Sequence, residues 1–291
     1  MKTNRRNILK AAALAGVAAA MGSTSVLKAQ EADFYTGGAP WADLLGWKLG
    51  AQAYSFRLFT LEEALQKNVS MGLRYIEVFS GQQLSKEHEV AVGPDMNRQE
   101  RLWLKSLFAQ YQVVPMSVGV IGAERKTFDF AAEMGIEIIG TEPPFEDLPK
   151  VDKLAQEYNI SIALHNHPDP SPYWNYKTVL EKIKDLSPLI GACVDTGHYT
   201  RSGLSPLEAV RALKGRIKSF HFKDLNEKSH SGHDVVWGTG VCELADVLKE
   251  LKAQKFRGPF FAEYEHNWEN SVPEVAASAK FFNEQAKELS Q

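Results

Sequence analysis

From Trp41 onward the chain alternates between short apolar runs and longer stretches whose apolar positions recur at helical spacing. The run Trp47 to Tyr54 predicts a first strand, and a helix follows from Thr60, where Thr60 and Glu63 have capping-box spacing. Arg74 to Phe79 predicts a second strand and Asn97 to Tyr111 the next long helix. Val113 to Gly119 and Ile136 to Thr141 read as the third and fourth strands, with a helix over Arg125 to Met134 between them. A helix over Asp147 to Tyr158 leads into a compact fifth strand, Ile160 to Leu164. Trp174 to Leu186 is again helical, and Leu189 to Val194 is the sixth strand. Ser205-Pro206-Leu207-Glu208 starts a helix with a cap, a proline at the first position and a glutamate at the third. Ile217 to Phe222, a helix over Cys242 to Ala253, and Pro259 to Ala262 complete the strands. A last helix, Val272 to Leu289, is preceded by Ser271 and Glu274 at capping-box spacing.

Eight strand-helix units in one chain predict an α/β fold, a single-domain (β/α)8 TIM barrel over residues 47–291, preceded by a lead-in at 31–46. The rival, an open doubly wound sheet, would carry a glycine-rich dinucleotide loop after its first strand. Ala53-Tyr54-Ser55-Phe56-Arg57 stands there instead, and Gly238-Thr239-Gly240 comes late and lacks the third glycine. The barrel is the expectation.

Residues 1–30 have a different character. Asn4-Arg5-Arg6-Asn7-Ile8-Leu9-Lys10 precedes an Ala-rich, weakly apolar run from Ala11 to Met21, then Leu27-Lys28-Ala29, a small-residue cleavage context. The pattern is that of a twin-arginine signal peptide, which predicts export of the folded protein to the periplasm. The apolar run is short for a hydrocarbon core of about 30 Å, so no membrane anchor is expected after cleavage.

Composition narrows the function classes. The chain has 291 residues, 44% of them hydrophobic, and a formal charge of −3. Nucleic-acid binding depends on clustered Lys and Arg, and no such cluster lies outside the N-terminus, so no nucleic-acid partner is expected. The two cysteines, Cys193 and Cys242, cannot build a disulfide framework and read as packed core residues. A homo-oligomer is compatible with this composition, but no interface is legible in it.

A barrel enzyme builds its site at the C-terminal ends of its strands. Here those ends carry Glu142 on the fourth strand, His165 and His167 on the fifth, Asp195 on the sixth, His221 on the seventh, and Glu263 and Glu265 on the eighth. Carboxylates and imidazoles converging from separate strands suit one divalent ion, with manganese, zinc, cobalt and magnesium all compatible. The expected ligands are Glu142, Asp195, His221 and Glu263; Glu265 shares a face with Glu263, which is preferred because it directly follows the apolar run. His198, three residues after Asp195, is a contact for substrate or metal. Lys223 shares a face with His221 and would meet a substrate oxygen, against the plain alternative of a surface lysine. His165 and His167 could form a metal pair but are read as contacts for sugar hydroxyls, and His233 joins them as a candidate substrate contact. His88 and His266 are expected to face solvent. Tyr54, Phe56, Phe79, Tyr199 and Trp237 could wall a sugar ring or simply pack, and Glu77 is a weaker pocket candidate.

Four segments carry a resemblance: Cys193-Val194-Asp195-Thr196-Gly197-His198, then Ser219-Phe220-His221-Phe222-Lys223-Asp224, then Trp237-Gly238-Thr239-Gly240, and finally Phe261-Ala262-Glu263-Tyr264-Glu265. In their order and spacing the chain resembles the xylose-isomerase-like barrel superfamily, the sugar phosphate isomerases and epimerases that also include endonuclease IV. The resemblance implies a metal held by Glu142, Asp195, His221 and Glu263, with His198 touching substrate. It also implies that Glu142 and Glu263 exchange protons with carbon on opposite faces of the substrate. The endonuclease branch adds histidines on the second and third strands, where this chain has Glu77 and Ser117, and an Asp-x-His where it has Ser231-Gly232-His233. Those departures, with the net negative charge, speak against a nuclease.

The chemistry implied is proton abstraction next to a carbonyl, with the metal stabilising the enediolate. Return of the proton to the other face makes an epimer, and return to the neighbouring carbon an isomer. A leaving group one carbon further on turns the same species over to a lyase, or by the reverse path a hydratase. Export points to an unphosphorylated sugar, and Arg57 and Arg201 are isolated rather than paired for a phosphate clamp. The expected function is a metal-dependent isomerase or epimerase of a keto-sugar, with a keto-glycoside lyase or hydratase second; a sugar-binding protein without catalysis is the reading from another class.

Overall fold

The computed structural model describes residues 34–291. The export signal expected over residues 1–30 therefore lies outside the described residues. Eight parallel strands close into a barrel: β1 (Trp47–Gln52), β2 (Tyr75–Val78), β3 (Val114–Val118), β4 (Ile138–Thr141), β5 (Ser161–His165), β6 (Ile190–Asp195), β7 (Ile217–Phe222) and β10 (Gly258–Ala262). Each is hydrogen-bonded to its neighbour in chain order, and β10 closes the ring on β1. A two-stranded ribbon, β8 (Asp224–Leu225) with β9 (Asp234–Val235), is inserted after β7. The fold is the (β/α)8 barrel that the alternation of runs predicts. No helix among the described residues is long and apolar enough to cross a membrane.

Because helices cover the outer face and side chains fill the inner one, the strands are buried on both sides and read as near-continuous apolar runs. All six residues of β6 are buried. The large outer core is joined inside the barrel by a small separate group, Ile138, Ala163 and Cys193. Both cysteines are free and buried, as expected. Trp237 and Phe222 meet edge to face at 4.9 Å, and Phe220 stacks on Phe260 at 4.6 Å, so Trp237 belongs to packing rather than to a sugar wall. Close strand approach needs glycine at β6: a methyl group on Gly191 would lie 1.9 Å from the Arg216 carbonyl oxygen. The lead-in carries a helix, Pro40–Leu45, tied to the last helix where the Trp41 backbone N–H donates to Asn283 Oδ1 at 3.0 Å.

Local signals mostly hold. The Thr60–Glu63 capping box forms, with Glu63 N–H donating to Thr60 Oγ1 at 3.2 Å and Thr60 N–H to Glu63 Oε2 at 3.0 Å. Ser205 caps its helix by accepting from the Glu208 N–H, with Pro206 in the first turn. The capping box expected at Ser271 and Glu274 does not form. Ser271 already has helical dihedrals (φ −75°, ψ −14°), and its hydroxyl donates to the Ser55 carbonyl across the barrel mouth, while Glu274 accepts from Asn267. A long-range contact takes the side chain that the local motif would use. The first strand also ends two residues early. Gln52 turns the chain by accepting from the Tyr54 N–H, and a 3₁₀ turn covers Ala53–Phe56.

These contacts set an order of sensitivity. Gly191→Ala should lower unfolding stability by about 3 kcal/mol, the upper end for an overpacked interior. Thr60→Ala should cost about 1 kcal/mol, the usual loss of a helix cap. Urea unfolding followed by circular dichroism ranks the two, and equal costs would mean the β6–β7 strand approach is looser than described.

Candidate metal centre

The strand ends bring together a buried set of side chains. His165 ends β5, Asp195 ends β6, His221 lies in β7 and Glu263 directly follows β10. Register places Asp195 opposite His221 on the neighbouring strand. Asp195 is held from two sides. Its Oδ1 caps the short helix Thr196–Arg201 by accepting from the His198 N–H at 2.7 Å. The Asn166 amide also clamps the Asp195 backbone, accepting from its N–H at 2.9 Å and donating to its carbonyl at 3.1 Å. Capping consumes one carboxylate oxygen and leaves Oδ2 facing the barrel axis side of the site.

One ligand atom from each of His165, Asp195, His221 and Glu263 lies within 4.8 Å of the others, and all four residues are buried. Opposed donors around a divalent ion with bonds of about 2.0–2.2 Å fall within that spread. His165 Nε2, Asp195 Oδ2, His221 Nδ1 and Glu263 Oε2 also have no hydrogen-bond partner of acceptable geometry. Ion pairs do reach these atoms: His165 Nε2 is 3.5 Å from Asp195 Oδ2, His221 Nδ1 is 2.9 Å from Glu263 Oε2, and Lys223 Nζ is 3.1 Å from Asp195 Oδ2 and 2.8 Å from Glu263 Oε2. Buried polar atoms are rarely left without partners. Four of them pointing at one another, two nitrogen and two carboxylate oxygen, form a donor set that fits a divalent metal.

Charge in the site is tightly coupled. Burial works against the imidazole proton of His221, yet Cys193, Glu263 and Glu77 hold its pKa well above the usual value. Burial would raise the Glu263 and Asp195 carboxyls, but their neighbours win: the His198 ring, Lys223 and His165 beside Asp195, and His221 and Lys223 beside Glu263, hold them well below the usual range. His198 is pushed well below the ordinary imidazole range, first by burial and despite Asp195. Its Nδ1 is 2.9 Å from the Arg201 guanidinium, which can only donate, so the neutral ring carries its proton on Nε2 and presents a donor.

Of the residues singled out in the sequence, Asp195, His221 and Glu263 converge as expected, and His165 stands with them. Glu142 belongs to an overlapping group with His165 and His167. Its Oε1 is 2.9 Å from His165 Nδ1 and also contacts His167 Nδ1. Although burial opposes ionisation, these two imidazoles lower the Glu142 pKa to about 2. Lys223 is fully buried, with Nζ 2.6 Å from Glu265, 2.8 Å from Glu263 and 3.1 Å from Asp195, so it is no surface lysine. His165, His167, His198, Glu263 and Glu265 line a cavity of about 230 Å³, with Tyr54 and Phe79 on its wall. His233 is exposed, its ring 4.7 Å from that of His266, and it does not line this cavity. Phe56 and Tyr199 are buried core residues.

Several partners escaped sequence reading. Gln52 ends β1 and lines the cavity, which the strand-end rule would have found had the first strand been ended two residues earlier. Arg201 pairs with Glu265 at 3.3 Å and Asp234 at 3.6 Å. Asn166 and Asp234 gave no signal, because their roles depend on chain segments distant in sequence.

Comparison with known proteins agrees with this geometry. Residues 65–285 match the xylose isomerase-like TIM barrel family. A protein of Parabacteroides distasonis ATCC 8503 is 32% identical, with a TM-score of 0.67 over 82% of this chain and 99% of its own. A xylose isomerase-like TIM barrel protein of Mycobacterium smegmatis, solved in complex with magnesium, shares the fold at 12% identity, with a TM-score of 0.68 over 84% of this chain and 98% of its own. An inosose dehydratase of Bacillus thuringiensis (strain Al Hakam) is 28% identical over 194 residues, 57% of this chain and 64% of the relative, so the match spans less than two thirds of that protein.

Metal binding to the folded state should be visible as stabilisation. At a manganese concentration about 100 times the dissociation constant the gain is about 2.7 kcal/mol. The melting temperature should therefore rise with manganese and fall back with a chelator; Asp195→Ala should remove the rise, and His221→Ala, which leaves three donors, should shrink it. A wild-type melting temperature indifferent to manganese, zinc, cobalt and magnesium would rule out the centre.

Proposed function

We propose that this chain, which belongs to the xylose isomerase-like TIM barrel family, is a divalent-metal-dependent enzyme that removes a proton next to a carbonyl of an unphosphorylated keto-sugar. The observation that carries the reading is the convergence of four buried donor atoms, from His165, Asp195, His221 and Glu263, beside a cavity of about 230 Å³ that His165 and Glu263 line. A cation held by these residues would supply the positive charge that polarises a carbonyl and stabilises an enediolate.

The remaining steps belong to side chains. Glu142, ionised at neutral pH beside His165 and His167, is placed to accept or return a proton, and Glu263 is the second carboxylate for that exchange. The Nε2–H of His198 is a donor for a substrate oxygen, and Tyr54 and Phe79 offer ring faces and edges, while Lys223, buried among Asp195, Glu263 and Glu265, balances their charge instead of reaching substrate. The two arginines of interest are engaged elsewhere: the Arg57 guanidinium sits 3.8 Å from the Trp268 ring centroid, and Arg201 is paired with Asp234 and Glu265. That supports a substrate without phosphate. Val120 joins the site's cavity to an adjoining one of about 370 Å³, lined by Glu142, which leaves room for the second group of a keto-glycoside. Export to the periplasm, read from residues 1–30, belongs to the same proposal.

Epimerisation or isomerisation is the first fate of the enediolate. A dehydratase or lyase is a second reading, favoured by the 28% identity to an inosose dehydratase. In deuterated water with manganese, the wild type should exchange one carbon-bound proton of its keto-sugar, and Glu142→Gln should slow this by about 10²–10⁴-fold. No exchange from any keto-sugar or ring ketone in the presence of metal would leave only a binding protein. Product mass separates the fates: unchanged mass means an epimer or isomer, and loss of one water means a dehydratase.

A further inference from the structure

Glu77 has no place in the chemistry above, yet it is fully buried inside the barrel. It lies in β2 between Ile76 and Val78, whose side chains join the outer core, so alternation turns the carboxylate inward. The β2–β3 register slips by one residue between Ile76 and Glu77, an irregularity of the kind that re-aims side chains. The neighbouring strands leave room: a methyl group on Gly119 would lie 3.3 Å from Glu77 Oε1, and one on Gly140 would lie 3.8 Å from Oε2. Glu77 Oε1 is 2.6 Å from His221 Nε2, and His221 itself is 1% exposed. A buried carboxylate costs free energy unless it is paired and hydrogen-bonded. Among the described residues its one hydrogen-bonded partner is the imidazole of His221, whose other nitrogen, Nδ1, faces Glu263 and the converging donor set.

We propose that Glu77 is a positioning residue for the metal centre: by accepting the Nε2 proton of His221 it keeps the Nδ1 lone pair free and aimed at the ion. Glu77 thereby fixes both the tautomer and the ring orientation of a ligand, and its negative charge raises the ligand's basicity. The inference rests on the metal reading of His165, Asp195, His221 and Glu263.

The test is manganese affinity, read as free Mn²⁺ by electron paramagnetic resonance on the mature protein. Wild type, Glu77→Gln, Glu77→Ala, His221→Ala and the double variant His221→Ala/Glu77→Gln are compared. Glu77→Ala should weaken binding by about 100-fold and Glu77→Gln, which keeps an acceptor oxygen but loses the charge, by about 10-fold, the range for partners of ligating histidines. In the His221→Ala background Glu77→Gln should cause no further loss, because the residue it positions is gone. The isosteric Gln variant keeps the test valid if the Ala variant does not fold. Wild-type affinity in a folded Glu77→Gln variant, or an equal loss with and without His221, would overturn the positioning role while leaving the metal centre intact. Failure of wild type to bind manganese, zinc or cobalt would instead overturn the metal reading, and this inference with it.

Discussion

Closing a parallel sheet into a barrel forces strand-end side chains from distant parts of the chain into one dry volume, and in this protein several of those side chains are acidic. Asp195, Glu263 and Glu77 are all buried, and the fold is viable only if their charge is answered within the same space. Lys223 answers part of it, with its ammonium set among Asp195, Glu263 and Glu265. His221 meets Glu77 through Nε2, and its Nδ1 faces Glu263 across the donor set. A divalent ion at the four converging donors would complete the balance. Much of the local structure around the mouth can be understood as serving that arrangement.

The supporting elements are ordinary devices in unusual places. Asp195 acts as a helix N-cap with one oxygen, which locks the carboxylate and aims the other oxygen at the site. Gly197 allows the Lys223 stem to pass close, since a methyl group there would lie 2.9 Å from Lys223 Cβ. The Thr196 hydroxyl joins the same two segments, donating to the Lys223 carbonyl at 2.7 Å and accepting from its N–H at 2.8 Å. The segment Asp195 to His198 thus carries a donor atom, a cap, a close approach and a polarised imidazole within one turn, which accounts for the information density of this short stretch.

This scaffold fixes where an enediolate would be stabilised more firmly than what becomes of it. A metal centre with carboxylates on hand performs the first proton transfer, whereas the fate of the intermediate depends on which carbon the second acid reaches and on whether a leaving group is present. Glu142 lines the larger cavity, and its partners His165 and His167, which line the smaller one, lower its pKa. In the proposed reaction, the choice between epimer, isomer and elimination would lie with residues such as Glu142 rather than with the buried donor set.

The order of strands and helices, the barrel, the helix starts at Thr60 and Ser205, and the convergence of Asp195, His221 and Glu263 were legible in the sequence, because each depends on local periodicity or on the rule that sites gather at strand ends. What escaped depends on distance along the chain. Ser271 does not form its capping box because Ser55 competes for its hydroxyl. His165 stands in the buried group with Asp195, His221 and Glu263 and also in a second group with Glu142 and His167, a sharing set by side-chain direction between adjacent strands that the sequence does not show. Glu77 meets His221 across 144 positions of sequence, and a strand carrying one inward glutamate looks the same whether that residue faces water or an imidazole. Periodicity determined which residues point inward; only the closed barrel decided which of them touch, since contact between strand ends is a property of register and closure rather than of any one segment.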